Sequence, residues 1–329
     1  MPAIYEHKAW FIQDTPSRVS RDVDLFERAV LAEYEQLRPD ALVIGMDVYN
    51  LEAEAAGCKV TFYEGDDPSI PGIAPGSHSV GPGDDLAGRE VPNPLRDGRM
   101  PINIEVARRV VRALSGEVWV RGAVSGPFSL AVSLIGAEEL FLSTLEEPEF
   151  ARAALAYAGR VIREFGQAYI DVGADVIVFD SQASCDLLSP DMYREFVLPV
   201  MKDLIAYFQQ RGVRDVPLII GGNTTPICDA LIDSGASNLL CDFKSDWGGW
   251  FPRCKAAGRA LRRNMNPAFI QSGAPDAIHA AAAAMIAEAQ GYGGFIMGTA
   301  VVPYGTPTEN LLAVREACRE AGGGRPTGK

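Results

Sequence analysis

The chain has 329 residues, of which 47% are hydrophobic, and a formal net charge of −13. Because phosphate binding requires clustered Lys and Arg, this acidity disfavours nucleic acids and anionic membrane surfaces as partners. The length and apolar content suffice for one large core, and α/β barrels of this size commonly form a single domain. We therefore expect a one-domain enzyme, spanning 1–329, that acts on a small molecule.

The cysteines and the N-terminus indicate a soluble protein of a reducing cytoplasm. The six cysteines show no CxxC pairing, so they are expected to be buried or reactive thiols rather than a disulfide framework. The first residues, "MPAIYEHKAWFIQDTPSR", include charged residues among the first ten and contain no apolar stretch of the length found in a signal peptide. No apolar run of 18 residues occurs in the chain.

Short apolar runs alternate with longer helical patterns along the chain, which predicts βα units and a parallel sheet. The predicted strands are 41–46, 118–124, 175–180, 217–222, 237–242, 260–265 and 293–298. The segment 59–64 is either an eighth strand or a hairpin excursion. The fold class we predict is α/β, a (β/α)8 TIM barrel.

Three long helices are predicted between these strands. The segment 144–173 has apolar residues at three- and four-residue spacing and stops at Gly173. A second helix covers 189–212, with Ser189 as its N-cap and Pro190 in its first turn. The third, 274–294, is rich in alanine and ends in glycines.

The segment 65–103 differs from the rest because it is rich in Gly, Pro and Asp. It is too long for a plain connector in a compact domain, so we interpret it as a lid over the substrate or as a passive insert. His78 lies within it and is a candidate for substrate or metal binding; the alternative is a solvated loop residue.

Polar residues recur where the predicted strands end, and in a (β/α)8 barrel the chemistry is built at the carboxyl ends of the strands. The catalytic candidates are Asp47, Asp180 and Asp242. The alternative for each Asp is a purely structural role as the N-cap of the following helix, and that alternative stays open. The candidates for substrate binding are Ser125, Phe128, Ser181, Asn223, Thr224, Asn266, Thr299 and His78.

Several long motifs, in the same order along the chain, resemble those of the uroporphyrinogen decarboxylase superfamily. Within that superfamily they resemble most the branch of cobalamin-dependent methyltransferases, which includes methylcobamide:coenzyme M methyltransferases and O-demethylases. The motifs include "SGPFSLAVSLIG", "GADVIVFDSQASCDLLSPDMYREFVLPVMKDLI", "GGNTTPICDALIDSGASNLLCD" and "GFIMGTAVVPYGTPTENLLAVREA". The resemblance implies a uroporphyrinogen decarboxylase-like TIM barrel. It does not select one reaction, because one fold hosts several chemistries.

The zinc ligands of the coenzyme M methyltransferases are missing from this sequence. In those relatives a His-x-Cys pair and a later Cys bind zinc, which holds a thiol as thiolate. The matching positions here are Ile219, Gly221 and Ala300, so no metal site is predicted and zinc is not expected at the usual position. Cys185 and Cys241, with Asp180, Glu64 or His78, are an alternative metal set, weighed against two small buried residues.

The decarboxylases of the superfamily bind a porphyrinogen with several carboxylates through an N-terminal arginine motif. Asp47 matches their Asp at the end of the first strand, but this N-terminus offers only Arg18 and Arg21 in "SRVSRD". Carboxylate recognition depends on charge-assisted Arg contacts, so uroporphyrinogen is not the expected substrate.

The leading hypothesis is therefore a methyltransferase that moves a methyl group between a small substrate and a corrinoid on a separate, small corrinoid protein. A neutral carboxyl among Asp47, Asp180 and Asp242 would act as general acid. Two alternatives stay open: a decarboxylase or lyase acting on a smaller acid, with Asp47 stabilising positive charge, and a non-catalytic barrel that binds a ligand or corrinoid.

Overall fold

The computed structural model describes residues 2–114, 116–289 and 291–322. It contains one curled sheet of seven parallel strands, in the order β1-β4-β5-β6-β7-β8-β9, and a separate two-stranded hairpin, β2-β3. The strands are β1 Ala41–Ile44, β2 Val60–Thr61, β3 Gly72–Ile73, β4 Trp119–Ser125, β5 Asp175–Phe179, β6 Pro217–Ile219, β7 Asn238–Cys241, β8 Ala260–Asn264 and β9 Phe295–Gly298. This is the α/β sheet of a TIM barrel, as the sequence predicts.

All seven predicted strands form, with ends that differ by one to three residues. The segment 59–64 is the hairpin excursion and not an eighth strand of the sheet, because β2 pairs antiparallel with β3. This hairpin opens the Gly- and Pro-rich insert. Further along, the insert is tied to the barrel where the N–H groups of Ser79 and Val80 donate to the Leu134 carbonyl.

The N-terminal segment lies in the gap between β9 and β1, where a barrel would have an eighth strand. Ala3 forms a parallel bridge with Val301, just beyond β9. On the other side, Lys8 Nζ donates to the carbonyls of Val43 and Gly45, both at 2.9 Å. The ring is therefore closed by the start of the chain rather than by a strand.

Alternate residues of each strand face opposite sides, as the two-residue period of a strand requires. One set, including Val43, Ala123, Phe179 and Leu240, packs together inside the ring. Their neighbours along the strands pack against the helices in the larger core. At the carboxyl ends, the inward positions are the ones that line a central cavity.

The helices surround the sheet. They are α1 His7–Phe11, α2 Pro16–Val19, α3 Val23–Leu37, α4 Leu51–Ala55, α5 Met100–Ala113, α6 Pro127–Ile135, α7 Ala137–Glu146, α8 Pro148–Asp171, α9 Pro190–Met192, α10 Leu198–Gln210, α11 Cys228–Asp233, α12 Trp247–Ala256, α13 Pro267–Ser272, α14 Pro275–Glu288 and α15 Thr308–Gly322.

Two of the predicted helices are interrupted next to a proline. The segment predicted as one helix over 144–173 breaks at Glu147, because the residue before Pro148 is sterically excluded from helical geometry. The helix from Ser189 has a π-helical turn, Tyr193–Val197, between α9 and α10. Pro199 has no N–H for the Glu195 carbonyl, which instead accepts a hydrogen bond from Arg152.

Within the described ranges, no single helix has both the length and the apolar character needed to cross a membrane. The bent pair formed by α6 and α7 meets the criterion together, by length and composition.

Candidate functional site

A cavity of about 200 Å³ opens at the carboxyl ends of the sheet strands, and we call it the inner cavity. Part of its wall is built from pairs of positions two residues apart, such as Phe179 and Ser181 or Arg262 and Asn264, because residues two apart on a strand face the same side. Its lining residues are Ala3, Tyr5, Tyr49, Phe179, Ser181, Ile219, Gly221, Leu240, Asp242, Phe243, Arg262, Asn264, Pro267, Ala300 and Val301.

Asp242 is the carboxylate of the inner cavity, and two donors orient it. The Gly222 N–H donates to Oδ2 at 2.9 Å and the Asn264 side-chain amide donates to Oδ1 at 3.0 Å. Gly222 has φ +89°, a conformation that other residues rarely adopt, so the glycine permits this N–H to face the carboxylate. These two hydrogen bonds thus stabilise the carboxylate of Asp242 and fix its orientation.

Arg262 is the cation of the same wall, and its side chain is 2% exposed. Its Nε donates to Asn264 Oδ1 at 3.0 Å, so the Asn264 amide bridges Arg262 and Asp242. Burial lowers the Arg262 pKa, which the negative charge of Asp242 opposes. Across β9, a Cβ on Gly298 would lie 2.3 Å from Asn264 Oδ1 and 2.5 Å from Arg262 Nε, so only glycine leaves room for this pair.

A second cavity of about 380 Å³, the outer cavity, adjoins the first. The two share Tyr49 and Ser181, whose hydroxyl groups are hydrogen bonded at 2.7 Å. Burial raises the Tyr49 pKa to about 12, so this hydroxyl stays protonated. The hairpin and the loop after it supply one wall, including Ile73 and His78. A further cavity of about 210 Å³ lies outside the ring, between α3 and α15, and touches no sheet strand.

Asp47 does not line either cavity, because Arg99 covers it. Its Oδ2 lies 2.6 Å from Arg99 Nη2, and Arg99 Nε lies 2.7 Å from Glu54. Burial raises the Asp47 pKa, while the Arg99 guanidinium opposes the shift. The arrangement is that of a buried ion pair behind the cavity wall.

Asp180 acts as a cap for the neighbouring helix α6. It accepts hydrogen bonds from the N–H groups of Ser129, at 2.7 Å, and Phe128, at 3.4 Å. The close approach requires Gly126, where a Cβ would lie 2.2 Å from the Asp180 side chain. Burial raises the Asp180 pKa to about 6, although the two N–H groups act in the opposite direction.

The other predicted substrate-binding residues divide between the cavities and the supporting structure. Ser181 lines both cavities and His78 lines the outer one, where its ring Nδ1 lies 3.0 Å from the Ser133 carbonyl. The remaining candidates line neither of these two cavities and have protein partners: Ser125 donates to Glu52, Phe128 packs on Phe141, Asn223 accepts from the Thr225 N–H, Thr224 bonds Ser245, Asn266 caps α13 and Thr299 accepts from the Ala3 N–H. Their contact with a substrate stays a prediction.

Four polar residues of the inner cavity were not selected from the sequence: Tyr5, Tyr49, Arg262 and Asn264. A signal for two of them exists in "ALRRN", because Arg262 and Asn264 share one face of β8 while Arg263 faces outward and pairs with Glu288 at 2.7 Å. Tyr5 carries no such signal, since its place depends on the N-terminal segment filling the ring.

The inner cavity does not fit the zinc of the coenzyme M methyltransferases. Ile219, Gly221 and Ala300 all line it, at the positions where the resemblance places the ligands, and none of these side chains can donate to a metal. Throughout the described residues, no three His, Cys, Asp or Glu side chains converge in a way that could hold a metal ion. The alternative set around Cys185 and Cys241 is therefore not assembled; Cys241 instead packs in the core between strands and helices.

Comparisons with known proteins agree on the family. The family model "Uroporphyrinogen decarboxylase (URO-D)" matches residues 4–321. A methylated-thiol–coenzyme M methyltransferase of Methanosarcina mazei is 27% identical over 293 residues, 88% of this chain and 75% of that protein. The methylcobamide:CoM methyltransferase MtaA of Methanosarcina barkeri is 26% identical over 224 residues, 67% of this chain and 62% of that protein. The solved structure of a methyltransferase from Methanosarcina mazei superposes with a TM-score of 0.80 at 24% identity, covering 92% of this chain and 86% of that one.

Proposed function

Since the chain belongs to the uroporphyrinogen decarboxylase family, we propose that it is a methyltransferase of that family. It moves a methyl group between a small substrate in the inner cavity and a corrinoid carried by a separate protein. The names of its relatives support this proposal, because one acts on a methylated thiol and another on a methylcobamide.

The observation that carries the proposal is the size and chemistry of the inner cavity. At about 200 Å³ it is smaller than the roughly 300–1,000 Å³ of pockets that hold drug-sized ligands. A tetrapyrrole with eight acidic side chains would need more space and more cations than Arg262 alone. The two N-terminal arginines do not compensate, since Arg18 lies near Asp14 and Arg21 donates to the Ser17 carbonyl.

The side chains of the inner cavity supply a proton-transfer group and a fixed orientation. When a methyl group moves onto a thiol or hydroxyl, the lone pair of the sulfur or oxygen forms the new bond, and the electron pair of the cobalt–carbon bond remains on the corrinoid. The proton released by the substrate goes to Asp242, which the Gly222 N–H and Asn264 hold in place. In the reverse direction, Asp242 returns the proton to the leaving group.

The mouth of the inner cavity provides an apolar approach for the corrinoid. Phe243 and Val301 line the cavity and are 41% and 42% exposed. A ring system carried by a partner can rest on such a surface. We propose that the segment 65–103 is a lid, which contributes the hairpin wall of the outer cavity and moves during the encounter.

We further propose that the reaction proceeds without zinc at the family's usual position, because the residues there offer no ligand. We expect metal analysis of the purified, active protein to find zinc well below one equivalent. One equivalent of zinc that is required for activity would contradict this part of the proposal.

A spectroscopic assay tests the proposed function. Methylcobalamin is mixed with the protein and a panel of thiols and phenols, and we expect its absorbance to be lost only when protein and substrate are both present. Asp242→Asn keeps the shape but removes the proton acceptor, and should lower kcat by about 10²–10⁴-fold. Asp276→Asn, on the exposed first turn of α14, is the matched control and should retain activity.

Other outcomes identify the alternatives. Release of carbon dioxide from a small acid without corrinoid would establish a decarboxylase. Ligand binding with no turnover of any substrate would establish a binding barrel, and full activity of Asp242→Asn would remove that residue from the mechanism.

A further inference from the structure

We propose that the cavity between α3 and α15, which we call the α3–α15 cavity, binds a small monocarboxylate with an apolar body, of the size of a short fatty acid. The cavity measures about 210 Å³ and lies outside the ring, and none of its described lining residues lines the inner or the outer cavity. The inference does not depend on the proposed function, because it concerns a different site.

Three segments that are distant in the sequence form the walls of this cavity. They are the start of the chain at Pro2, the end of α3 with the loop that follows it, 37–40, and one face of α15. The α15 positions recur at three- and four-residue spacing, as one face of a helix requires: Leu311, Val314, Arg315, Cys318, Arg319 and Gly322. The cavity therefore exists only in the folded chain, and a ligand that binds there stabilises the fold.

One side of the α3–α15 cavity is apolar. Leu37, Leu311 and Val314 are each at most 6% exposed and belong to one core cluster, against which Cys318 packs. Burial raises the Cys318 pKa, so this thiol is neutral near pH 7. An apolar cavity of about 150 Å³ is large enough for benzene. This larger cavity therefore has room for an apolar body of similar size together with a carboxylate.

The other side carries more positive than negative charge. Arg38, Arg315 and Arg319 line the cavity together with one carboxylate, Asp40. The second carboxylate is Glu316, whose Oε1 lies 2.7 Å from Arg315 Nη2 and 3.3 Å from Arg319 Nη1. Three guanidinium groups against two carboxylates leave one positive charge, in a chain whose formal net charge is −13. A carboxylate has the single charge that balances it, whereas a phosphate monoester has about 1.5–2.

Arg38 is the cation that is left for a ligand. Within the part of the chain that the structure describes, it forms no salt bridge, and its guanidinium stacks on the Tyr34 ring at 4.5 Å. The ring is fixed in turn, since the Tyr34 hydroxyl donates to Glu117 at 2.8 Å. Stacking uses the face of the guanidinium and leaves the N–H donors at its edge to bind a carboxylate.

The backbone of Arg38 makes it a suitable position for a test. Arg38 ends α3 with φ +44° and ψ +56°, the left-handed conformation in which glycine is usual at the end of a helix. Glycine adopts this conformation without the steric cost that other residues incur. Arg38→Gly should therefore remove the guanidinium and fold about as stably as the unmodified protein.

Titration calorimetry measures the binding of hexanoate, of the neutral hexanamide and of acetate, which lacks the apolar body. We expect hexanoate to bind at least about tenfold more tightly than either of the others. Arg38→Gly should weaken hexanoate binding at least about fivefold and leave hexanamide binding unchanged. Arg28→Gln, which changes an exposed arginine of α3 that does not line the cavity, is the matched control and should bind hexanoate as the unmodified protein does.

Alkylation of cysteines locates the bound ligand. Saturating hexanoate should slow the reaction of Cys318 with iodoacetamide, measured by mass spectrometry of the peptide that contains it. The reaction of Cys185, the other partly exposed cysteine, should not change, because Cys185 does not line this cavity.

Failure of hexanoate to bind would overturn the inference, as would equal affinities for hexanoate and hexanamide. An Arg38→Gly protein that keeps the full affinity would also overturn it, and so would hexanoate binding that leaves Cys318 unprotected, since the ligand would then lie elsewhere. Neither measurement uses methyl transfer, so failure of this inference and failure of the proposed function are distinguishable.

Discussion

Buried carboxyl groups are the most unusual feature at the scale of single residues. Glu52 is fully buried beside β4, where its two oxygens accept hydrogen bonds from the Ser125 N–H, at 2.6 Å, and the Ser125 hydroxyl, at 3.1 Å. Burial raises the Glu52 pKa to about 7, more than these donors lower it. Ionising this group in the folded protein is therefore costly.

The raised pKa predicts how stability depends on pH. Between about pH 4.5 and 7 the folded protein retains the Glu52 proton and the unfolded chain releases it, so this contribution to the free energy of unfolding is present below pH 4.5 and lost as pH rises through 7. Glu52→Gln cannot ionise. The unfolding free energy of Glu52→Gln minus that of the unmodified protein should therefore increase between pH 4.5 and pH 7, by on the order of 1 kcal/mol or more.

Urea unfolding at several pH values checks this. Glu35→Gln, at an exposed position in the last turn of α3, is the control and should show no such change. A stability difference between Glu52→Gln and the unmodified protein that is independent of pH would contradict the assignment.

At the scale of elements, strands and helices are joined by caps that come from neighbouring units. Asp180 follows β5 but caps α6, which follows β4, so one carboxylate links two βα units. Gly126 makes the approach possible. Such a contact satisfies helix N–H groups that have no partner within the helix, and a negative charge there also interacts favourably with the helix dipole.

Removing this cap should cost more than removing an exposed one. Asp180→Ala leaves the buried Ser129 N–H without a partner and should lower the free energy of unfolding by about 2 kcal/mol. Asp22→Ala, at the exposed N-cap of α3, should lower it by about 1 kcal/mol or less. Chemical denaturation of both variants measures the difference; equal losses would mean that Asp180 is not a structural cap of this kind.

At the scale of the whole molecule, the barrel depends on the start of the chain. Lys8 is fully buried, and its Nζ donates to the carbonyl of Val43 in β1 and to the carbonyl of Gly45 just after it. The same Nζ lies 3.7 Å from Glu33 Oε2 on α3. Burial lowers the Lys8 pKa and raises that of Glu33 to about 7, while the pairing acts against both shifts. One side chain thus connects the N-terminal segment, the first strand and the first long helix.

Lys8→Met should therefore destabilise the whole fold. It removes the donor for two carbonyls and leaves Glu33 buried without its partner, a loss of about 3–5 kcal/mol. The double variant Lys8→Met with Glu33→Leu should regain part of that loss, since no buried charge is then left unpaired. Unfolding free energies of the two single variants and the double variant form the test, and simple addition of the single losses would argue against coupling.

The sequence by itself determined the seven strands, the hairpin as one of two readings, and the family, because strand periodicity and long ordered motifs are local in the chain. It also placed Asp242 and Ser181 at the carboxyl ends that line the cavity. Only the tertiary structure showed that Asp47 pairs with Arg99 and that Asp180 accepts hydrogen bonds from the N-terminus of α6. It also showed that Arg262, Tyr5 and Asn264 line the cavity. These outcomes depend on which side chains from distant segments meet, and an Asp after a strand looks the same in the sequence whether it caps a helix or faces a substrate.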